Sequence, residues 1–137
     1  MTIQDIVHVD PNLKILLAED APVVQMAMKK FLDELDLNNI HCANDGQQAL
    51  EMFGQAKKEG SNFGLIITDI RMPNLNGLKF LRSVREIDPQ IPVLIVSSEN
   101  DTKTVMKAIE LGASNYLIKP ITVRDLAIKI NKIFPKA

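Results

Sequence analysis

Two kinds of apolar segment alternate along the chain. The first kind is short and nearly continuous, and it occurs four times, at residues 15–18, 65–67, 93–96 and 116–118. Runs of this length that are rich in β-branched residues are typical of strands buried on both faces of a sheet. A fifth segment, residues 39–43, mixes polar with apolar positions, and this pattern predicts a strand at the edge of the sheet.

The second kind of segment carries apolar residues every three or four positions, which is the period of an amphipathic helix. Five such stripes alternate with the predicted strands, and we expect each stripe to face the core. Their members are Val24, Met28, Phe31 and Leu35; Ala49, Phe53 and Ala56; Leu78, Leu81 and Val84; Val105, Met106 and Ile109; and Val123, Leu126, Ile130 and Ile133.

The alternation of five strands with five helices predicts an α/β fold, a doubly wound five-stranded parallel sheet with helices on both faces. Turn signals separate the segments, among them Asp45-Gly46, Asp88-Pro89 and Gly112. No internal repeat or linker divides the 137 residues. We therefore expect one domain over residues 13–137, preceded by an N-terminal arm of residues 1–12.

The charged residues nearly balance, since 16 are basic and 17 are acidic, which gives a formal net charge of −1. This balance provides no basic surface for nucleic acid, so we expect no such partner. No apolar run approaches the roughly 18 residues of a membrane span, and the N-terminus lacks a secretory signal, so we expect no membrane insertion. The single cysteine, Cys42, fits a reducing compartment, and we expect the protein in the cytoplasm.

Polar side chains stand directly after four of the predicted strands. Glu19 and Asp20 follow the first strand, Asp69 the third, Ser97 the fourth and Lys119 the fifth. In an open parallel sheet, ligands bind beyond the carboxyl ends of the strands. We therefore expect three carboxylates, a hydroxyl and a lysine to meet at one edge of the sheet.

Each of these residues has an ordinary structural explanation when taken alone, because acidic and hydroxyl side chains favour helix starts and turns. Together, three crowded carboxylates repel one another and would raise each other's pKa. A hard cation relieves that repulsion, and Mg²⁺ prefers a few carboxylates with water and a phosphoryl oxygen. Such a set suits transfer of a phosphoryl group to a carboxylate, with Lys119 neutralising a phosphoryl oxygen and Ser97 donating a hydrogen bond.

With these residues in these positions, the sequence resembles the receiver domain of two-component response regulators, and in length its single-domain, CheY-like members. The resemblance covers about residues 13–134. It rests on five motifs, which are LAED at residues 17–20, ANDGQQAL at 43–50, DIRMPNLNG at 69–77, VSS at 96–98 and GASNYLIKP at 112–120. It implies a flavodoxin-like sheet with the strand order 2-1-3-4-5.

The resemblance implies a phosphorylation site and a metal site. Asp69 matches the residue that accepts a phosphoryl group from the phosphohistidine of a histidine kinase or of a histidine phosphotransfer protein. Asp69 also matches a ligand of Mg²⁺, together with Asp20 and the backbone carbonyl of Arg71, and Mn²⁺ can take the place of Mg²⁺. Glu19 matches an acidic residue that acts on the metal through water.

The resemblance also implies a switch that a downstream protein reads. Ser97 and Lys119 match the hydroxyl and the lysine that hold the phosphoryl group, and Tyr116 matches an aromatic residue that changes rotamer on activation. Ser97 stands where the family often has threonine, which preserves the hydroxyl and loses a methyl group. The Lys119–Pro120 peptide is expected to be cis. The expected contact face consists of the fourth helix, the fifth strand and the fifth helix, roughly residues 101–133.

A receiver is a phosphoacceptor switch that catalyses its own phosphorylation and its own slow dephosphorylation, and we do not expect a conventional enzyme. In the family, the positions two residues after the phosphoacceptor and two after the switch hydroxyl flank the path of the attacking water. Here these positions hold Arg71 and Glu99, a cation and an anion. We expect them to reach across the site and to act as a gate to hydrolysis.

Three other interpretations compete with this one. A start at Met1 favours a stand-alone regulator, but the sequence is equally compatible with a receiver excised from a larger regulator or a hybrid histidine kinase. A magnesium-dependent phosphatase of the haloacid-dehalogenase type needs a second aspartate two residues after its nucleophile, where this chain has Arg71. A flavodoxin-like cofactor binder needs a phosphate loop rich in Gly, Ser or Thr, where this chain has Glu19-Asp20-Ala21-Pro22, whose two acidic residues would repel phosphate.

Overall fold

The structure, a computed structural model, describes residues 7–135 of the 137-residue chain. Strands and helices alternate along this part of the chain, and each predicted segment falls within one residue of an observed element. The strands, β1 to β5, are Ile15–Ala18, Ile40–Ala43, Leu65–Thr68, Val93–Ser97 and Asn115–Ile118. The helices, α1 to α5, are Pro22–Glu34, Gly46–Glu59, Gly77–Ile87, Thr102–Glu110 and Val123–Ile133.

The strands form one parallel sheet in the order β2-β1-β3-β4-β5. This order confirms the predicted doubly wound, flavodoxin-like α/β fold. Ala18, at the end of β1, pairs with Ala43 on one side and with Thr68 on the other. The chain therefore winds in opposite directions on the two sides of β1, and ligands bind beside the carboxyl end of such a strand.

Alternate residues of the central strands face opposite layers of helices. Leu16 and Ala18 of β1 belong to a core that β1 forms with α2, α3 and α4. Ile15 and Leu17 belong to a second core, which includes residues of α1 and α5. All four side chains are almost fully buried, and this is why β1 has a continuous apolar sequence instead of an alternating one.

Local hydrogen bonds determine where four of the helices begin. Asp45, Asn76 and Asp101 precede α2, α3 and α4, and each side chain accepts a hydrogen bond from the N–H three residues further on. A capping box at Thr122 begins α5. Helix α1 begins instead at Pro22, whose fixed backbone angle suits the first helical position.

Two predictions about buried surfaces are wrong. The sequence predicts that Met106 and Ile109 face the core, yet they are 57% and 49% exposed. Helix α4 packs through the fully buried Ala108 and the partly buried Val105, because it is the last helix of its layer and its outer side faces solvent. Strand β5 is predicted to be buried on both faces, but it forms an edge of the sheet and Ile118 is 46% exposed.

Part of the predicted arm lies against the domain. Val7 and Val9 pack against the second core, and the backbone N–H of His8 donates to the side chain of Asn131 in α5 at 3.0 Å. Residues 1–6 lie outside the described residues, so the division at residue 12 stays a prediction. Among the helices described, none combines the length and the apolar character that crossing a bilayer requires.

Candidate functional site

The carboxyl ends of four neighbouring strands bring the predicted polar residues to one edge of the sheet. Glu19 directly follows β1, Asp69 follows β3, Ser97 ends β4, and Lys119 follows β5. Parallel pairing in the order β1-β3-β4-β5 aligns these ends. The peptide between Lys119 and Pro120 is cis, as predicted.

Lys119 lies between two carboxylates. Its Nζ is 2.8 Å from Glu19 Oε1 and 2.8 Å from Asp69 Oδ2. Burial alone would lower the pKa of Lys119, but hydrogen bonds with Asp69 and Glu19 outweigh burial, and the pKa is raised above its ordinary value. The lysine is therefore held as a cation at the centre of the site.

Glu19 is almost completely buried, with 4% of its surface exposed. Burial raises its pKa, the hydrogen bond from Lys119 opposes the rise, and the charge of Asp69 makes the smallest contribution. The charge of Asp69 thus acts in the direction expected from crowding, but burial of Glu19 has the larger effect on its pKa. The other carboxylate oxygen, Oε2, accepts the N–H of Ala21 at 3.1 Å, so both oxygens are engaged.

The backbone around Asp69 is held on several sides. Its N–H donates to the carbonyl of Ala18 at 3.0 Å, and its own carbonyl accepts the hydroxyl of Thr68 at 2.8 Å. Its carboxylate Oδ1 accepts the N–H of Ile70 at 2.6 Å. These bonds fix the direction in which the carboxylate points, and positioning of that kind is what phosphoryl transfer requires from a protein.

The loop after Asp69 folds back tightly onto the start of α3. The N–H of Gly77 donates to the carbonyl of Ile70 at 2.8 Å. A Cβ atom added at Gly77 would lie 1.9 Å from the carbonyl oxygen of Asp69. Only glycine therefore allows this approach of the helix to the residue that carries the carboxylate.

We expect Gly77→Ala to destabilise the protein by about 2 kcal/mol, since the new methyl group must push the loop away from the end of β3. Gly54→Ala is the matched control, because Gly54 lies within α2 and an added Cβ would meet nothing within 4 Å apart from the backbone of its own helix. The control should gain about 0.5–1 kcal/mol from the higher helix propensity of alanine. Urea unfolding of both variants checks this, and equal effects would show that the close approach does not exist.

Glu99 connects three of the predicted residues. Its side chain pairs with the guanidinium of Arg71, Nε to Oε1. Its N–H donates to Ser97 Oγ at 3.2 Å, and its carbonyl accepts the hydroxyl of Tyr116 at 2.7 Å. The loop after β4 therefore contacts both the loop after Asp69 and the aromatic residue of β5, although the Arg71 side chain is 82% exposed.

Tyr116 is turned inward, with 9% of its surface exposed, and burial raises the pKa of its phenol. From the sequence we expect movement of Ser97 toward a phosphoryl group to vacate space for this side chain, which would bias an equilibrium toward the inward position. In the structure the side chain is inward, and its hydroxyl donates to the carbonyl of Glu99 in the loop after β4.

The donor set at the edge of the sheet fits Mg²⁺. Asp20 is exposed beside the end of β1, and Asp69 and the Arg71 backbone come from the loop after β3. All the donors are oxygen atoms, which Mg²⁺ prefers. Among residues 7–135 no three His, Cys, Asp or Glu side chains are grouped as a metal site. The predicted set needs only two direct carboxylates, and the engaged oxygens of Glu19 suit a role through water.

Reasoning from the sequence misses two amides near this edge. Gln25 of α1 donates to the backbone carbonyl of Glu19, and Asn74 of the loop after β3 donates to Asp45. Asn74 has a positive φ of 67°, and its position after a proline was a turn signal. Gln25 carries no comparable signal, because a single polar residue on the first turns of a helix has many ordinary explanations.

Comparison with known proteins identifies relatives along nearly the whole chain. The family model described as response regulator receiver domain matches residues 15–131. Chemotaxis protein CheY-3 of Vibrio cholerae is 32% identical over 127 residues, which cover 91% of this chain and 94% of the relative. Chemotaxis protein CheY of Pseudomonas aeruginosa is 33% identical over 126 residues, which cover 90% and 98%.

Solved structures have the same architecture. The response regulator receiver domain protein from Clostridium thermocellum has a TM-score of 0.77 at 32% identity, and the match covers 88% of this chain and 92% of that one. A chain of the CheX–CheY–BeF3–Mg²⁺ complex from Borrelia burgdorferi has a TM-score of 0.86 at 20% identity, covering 98% and 100%, which shows the fold alone. By its sequence motifs, its strand order and these matches, the chain belongs to the response regulator receiver domain family, as a CheY-like member.

Proposed function

We propose that this protein accepts a phosphoryl group on Asp69 from the phosphohistidine of a histidine kinase or histidine phosphotransfer protein. The observation that carries the proposal is the pair of 2.8 Å contacts that Lys119 makes with Asp69 and Glu19, beside Ser97 and the exposed Asp20. A partly buried cation next to a carboxylate at an open sheet edge is suited to an incoming phosphoryl group. A phosphatase of the haloacid-dehalogenase type needs an aspartate two residues after the nucleophile, and Arg71 at that position argues against this activity.

The proposed transfer forms a bond between phosphorus and a carboxylate oxygen of Asp69, while the bond between phosphorus and the donor imidazole nitrogen breaks. The electron pair of that bond stays on the imidazole, which takes up a proton. Lys119 is already in contact with Asp69 Oδ2 and can follow the charge onto a phosphoryl oxygen, and Ser97 can donate a hydrogen bond to another. Mg²⁺ bound by Asp20, Asp69 and the Arg71 carbonyl would neutralise further negative charge.

The test is incubation with acetyl phosphate, with MgCl₂ or with EDTA, followed by intact-protein mass spectrometry. We expect a mass gain of one phosphoryl group only in the presence of Mg²⁺. A gain that is equal in EDTA would contradict the role of the metal, and no gain under any condition would contradict the function. The proposal places the protein in the cytoplasm, in keeping with the free thiol of Cys42.

The proposed output is contact of α4, β5 and α5 with a downstream protein. The exposed apolar residues Met106, Ile109, Ile118 and Ile128 lie on these elements and supply the kind of surface that partners cover. The Borrelia burgdorferi relative was solved as a complex of CheX and CheY with BeF3 and Mg²⁺. Since Tyr116 is already inward, phosphorylation would stabilise this arrangement through Ser97 instead of creating it.

We expect beryllofluoride with Mg²⁺, a mimic of the phosphoryl group, to shift the amide resonances of residues 97–119. The added acceptor atoms attract the side chains of Ser97 and Lys119. Glu99 transmits the change to Tyr116, because the Glu99 carbonyl accepts a hydrogen bond from the Tyr116 hydroxyl. The ¹H–¹⁵N spectrum measures this directly, with Mg²⁺ alone as the control. An unchanged segment would contradict the proposed switch while leaving the phosphoacceptor assignment intact.

The proposed gate to hydrolysis is the ion pair of Arg71 and Glu99. An exposed pair stabilises the fold by only about 0–1 kcal/mol, but an obstruction of about 1.4 kcal/mol to water slows hydrolysis tenfold. We expect Arg71→Ala and Glu99→Ala each to speed the loss of the phosphoryl group several-fold. The double variant should show less than the product of the two effects.

Decay of the phosphorylated protein in excess Mg²⁺ measures these rates, and Arg82→Ala is the control, because Arg82 is an exposed arginine of α3. If the Arg71 and Glu99 variants lose the phosphoryl group at the same rate as the control, the ion pair does not act as a gate to hydrolysis.

A further inference from the structure

Gln25 joins the ends of two strands. Its side-chain nitrogen donates to the carbonyl of Glu19 at 2.5 Å and to Asn44 Oδ1 at 2.9 Å, and it lies 3.4 Å from the carbonyl of Ala43. The Glu19 carbonyl belongs to the peptide that connects Glu19 with Asp20. By holding that oxygen, Gln25 sets the orientation of the peptide from which Asp20 projects.

The corner between β2 and α2, residues 44–46, continues this connection. The N–H of Asn44 donates to Gln48 Oε1 at 2.7 Å, and the N–H of Gln48 donates to Asp45 Oδ1 at 2.7 Å. The other Asp45 oxygen, Oδ2, accepts the side-chain amide of Asn74 at 2.8 Å. Asn74 belongs to the loop that begins at Asp69, so an unbroken set of hydrogen bonds runs from the β1–α1 loop to the β3–α3 loop.

The corner also touches this loop through its backbone. A Cβ atom at Gly46 would lie 1.9 Å from the carbonyl oxygen of Leu75. The residue before Leu75, Asn74, has its amide directed at the corner by a left-handed backbone with φ of 67°. Close backbone contact and a hydrogen bond at the same place leave little freedom for the corner and the loop to move apart.

We propose that Gln25 and Asn74 are positioning residues for Mg²⁺, and that they act through the corner of residues 44–46. This inference rests on the proposed function. One half of the oxygen set, Asp20, follows the peptide held by Gln25, and the other half, Asp69 and the Arg71 carbonyl, lies in the loop held by Asn74. The corner fixes the spacing between the two halves.

The chemistry of the ion makes this spacing measurable. Mg²⁺ demands nearly ideal octahedral geometry at short distances, whereas Ca²⁺ accepts more ligands at longer and more variable distances. A change in the spacing of the ligands should therefore weaken the binding of Mg²⁺ more than the binding of Ca²⁺. A residue that only stabilises the fold would change neither affinity in the folded protein.

The experiment is calorimetric titration of the full chain with MgCl₂ and, separately, with CaCl₂. Gln25→Met retains length and helix propensity and removes the amide, and Asn74→Gly removes the amide while tolerating the positive φ. We expect each substitution to raise the dissociation constant for Mg²⁺ by about tenfold, as for other residues that orient metal ligands, and to change that for Ca²⁺ much less. Gln55→Met is the control, since Gln55 bonds only Glu59 on the exposed side of α2.

Failure of this inference can be distinguished from failure of the proposed function. If the unsubstituted protein binds no Mg²⁺, both fail together. If it binds Mg²⁺ and both variants bind as the control does, the positioning role alone is overturned. If the variants melt at lower temperature in EDTA but retain their affinity for Mg²⁺, Gln25 and Asn74 are purely structural, and the inference is again overturned. A loss of affinity that is larger for Mg²⁺ than for Ca²⁺ supports the positioning role of Gln25 and Asn74.

Discussion

Asp69→Asn is expected to abolish phosphorylation by acetyl phosphate and to leave the fold intact. The amide of asparagine cannot attack phosphorus, so no acyl phosphate forms. Lys119 retains its contact with Glu19 when the charge at position 69 is lost, so no buried charge is left without a partner. The ion pair that is lost and the repulsion that is relieved oppose each other, and we expect stability to change by no more than about 1 kcal/mol.

Intact-protein mass spectrometry and urea unfolding measure the two parts of this prediction. Asp33→Asn is the control, because Asp33 is an exposed aspartate of α1 far along the helix from the site. The control should be phosphorylated as fully as the unsubstituted protein. An equally populated phosphoryl adduct in Asp69→Asn would contradict the assignment, and a large loss of stability would show that the carboxylate is structural.

Lys119→Met is expected to have the second largest effect, on both stability and phosphorylation. The substitution leaves the carboxylates of Glu19 and Asp69, whose side chains are 5% and 11% exposed, without their shared cation. Removing one member of a buried ion pair costs about 3 kcal/mol, since the remaining charge stays out of water. Loss of a group that stabilises the transferring phosphoryl oxygens should slow phosphorylation by about a hundredfold.

The loss of stability in Lys119→Met is expected to depend on pH in one direction. The folded state raises the pKa of Lys119 above the ordinary 10.5, so its stabilising effect is complete below pH 10.5. The effect is lost as the pH rises through the higher pKa of the folded state. The difference in unfolding free energy between the unsubstituted protein and Lys119→Met should therefore stay constant from neutral pH to about pH 10 and shrink above it.

Urea unfolding at a series of pH values tests this prediction. Lys58→Met is the control, because Lys58 is an exposed lysine in the last turn of α2. Saturating MgCl₂ should restore part of the stability of Lys119→Met, since the metal brings positive charge to the same carboxylates. A variant as stable as the control at neutral pH would mean that the two carboxylates do not depend on Lys119.

Local pattern was enough to predict the elements and the edge at which the site lies. A buried parallel strand must be apolar along its whole length, so β1 and β3 were visible as runs that end at Glu19 and Asp69. The carboxyl ends of parallel strands meet at one edge, which brings residues far apart in sequence together. The resemblance to receivers then supplied a role for each residue at that edge.

Local pattern was not enough to predict which apolar residues are covered. Met106 and Ile109 follow a helical period as regular as that of other stripes, yet they are exposed. Ile118 belongs to an apolar run, yet it lies on an edge strand. Exposure at these positions depends on whether another element packs against the outer side of α4 and β5. A periodic pattern does not show whether such an element exists.

Local periodicity and residue type are enough to derive the alternating elements, the parallel α/β class, and the oxygen, hydroxyl and lysine groups at the strand ends. Tertiary contacts, in contrast, place Lys119 between Glu19 and Asp69 and make burial a larger influence than crowding on the pKa of Glu19. Distances across 50 or more residues depend on how strands pair and loops close, as do the hydrogen bonds of Gln25 and Asn74. The spacing of the site is therefore a property of the fold.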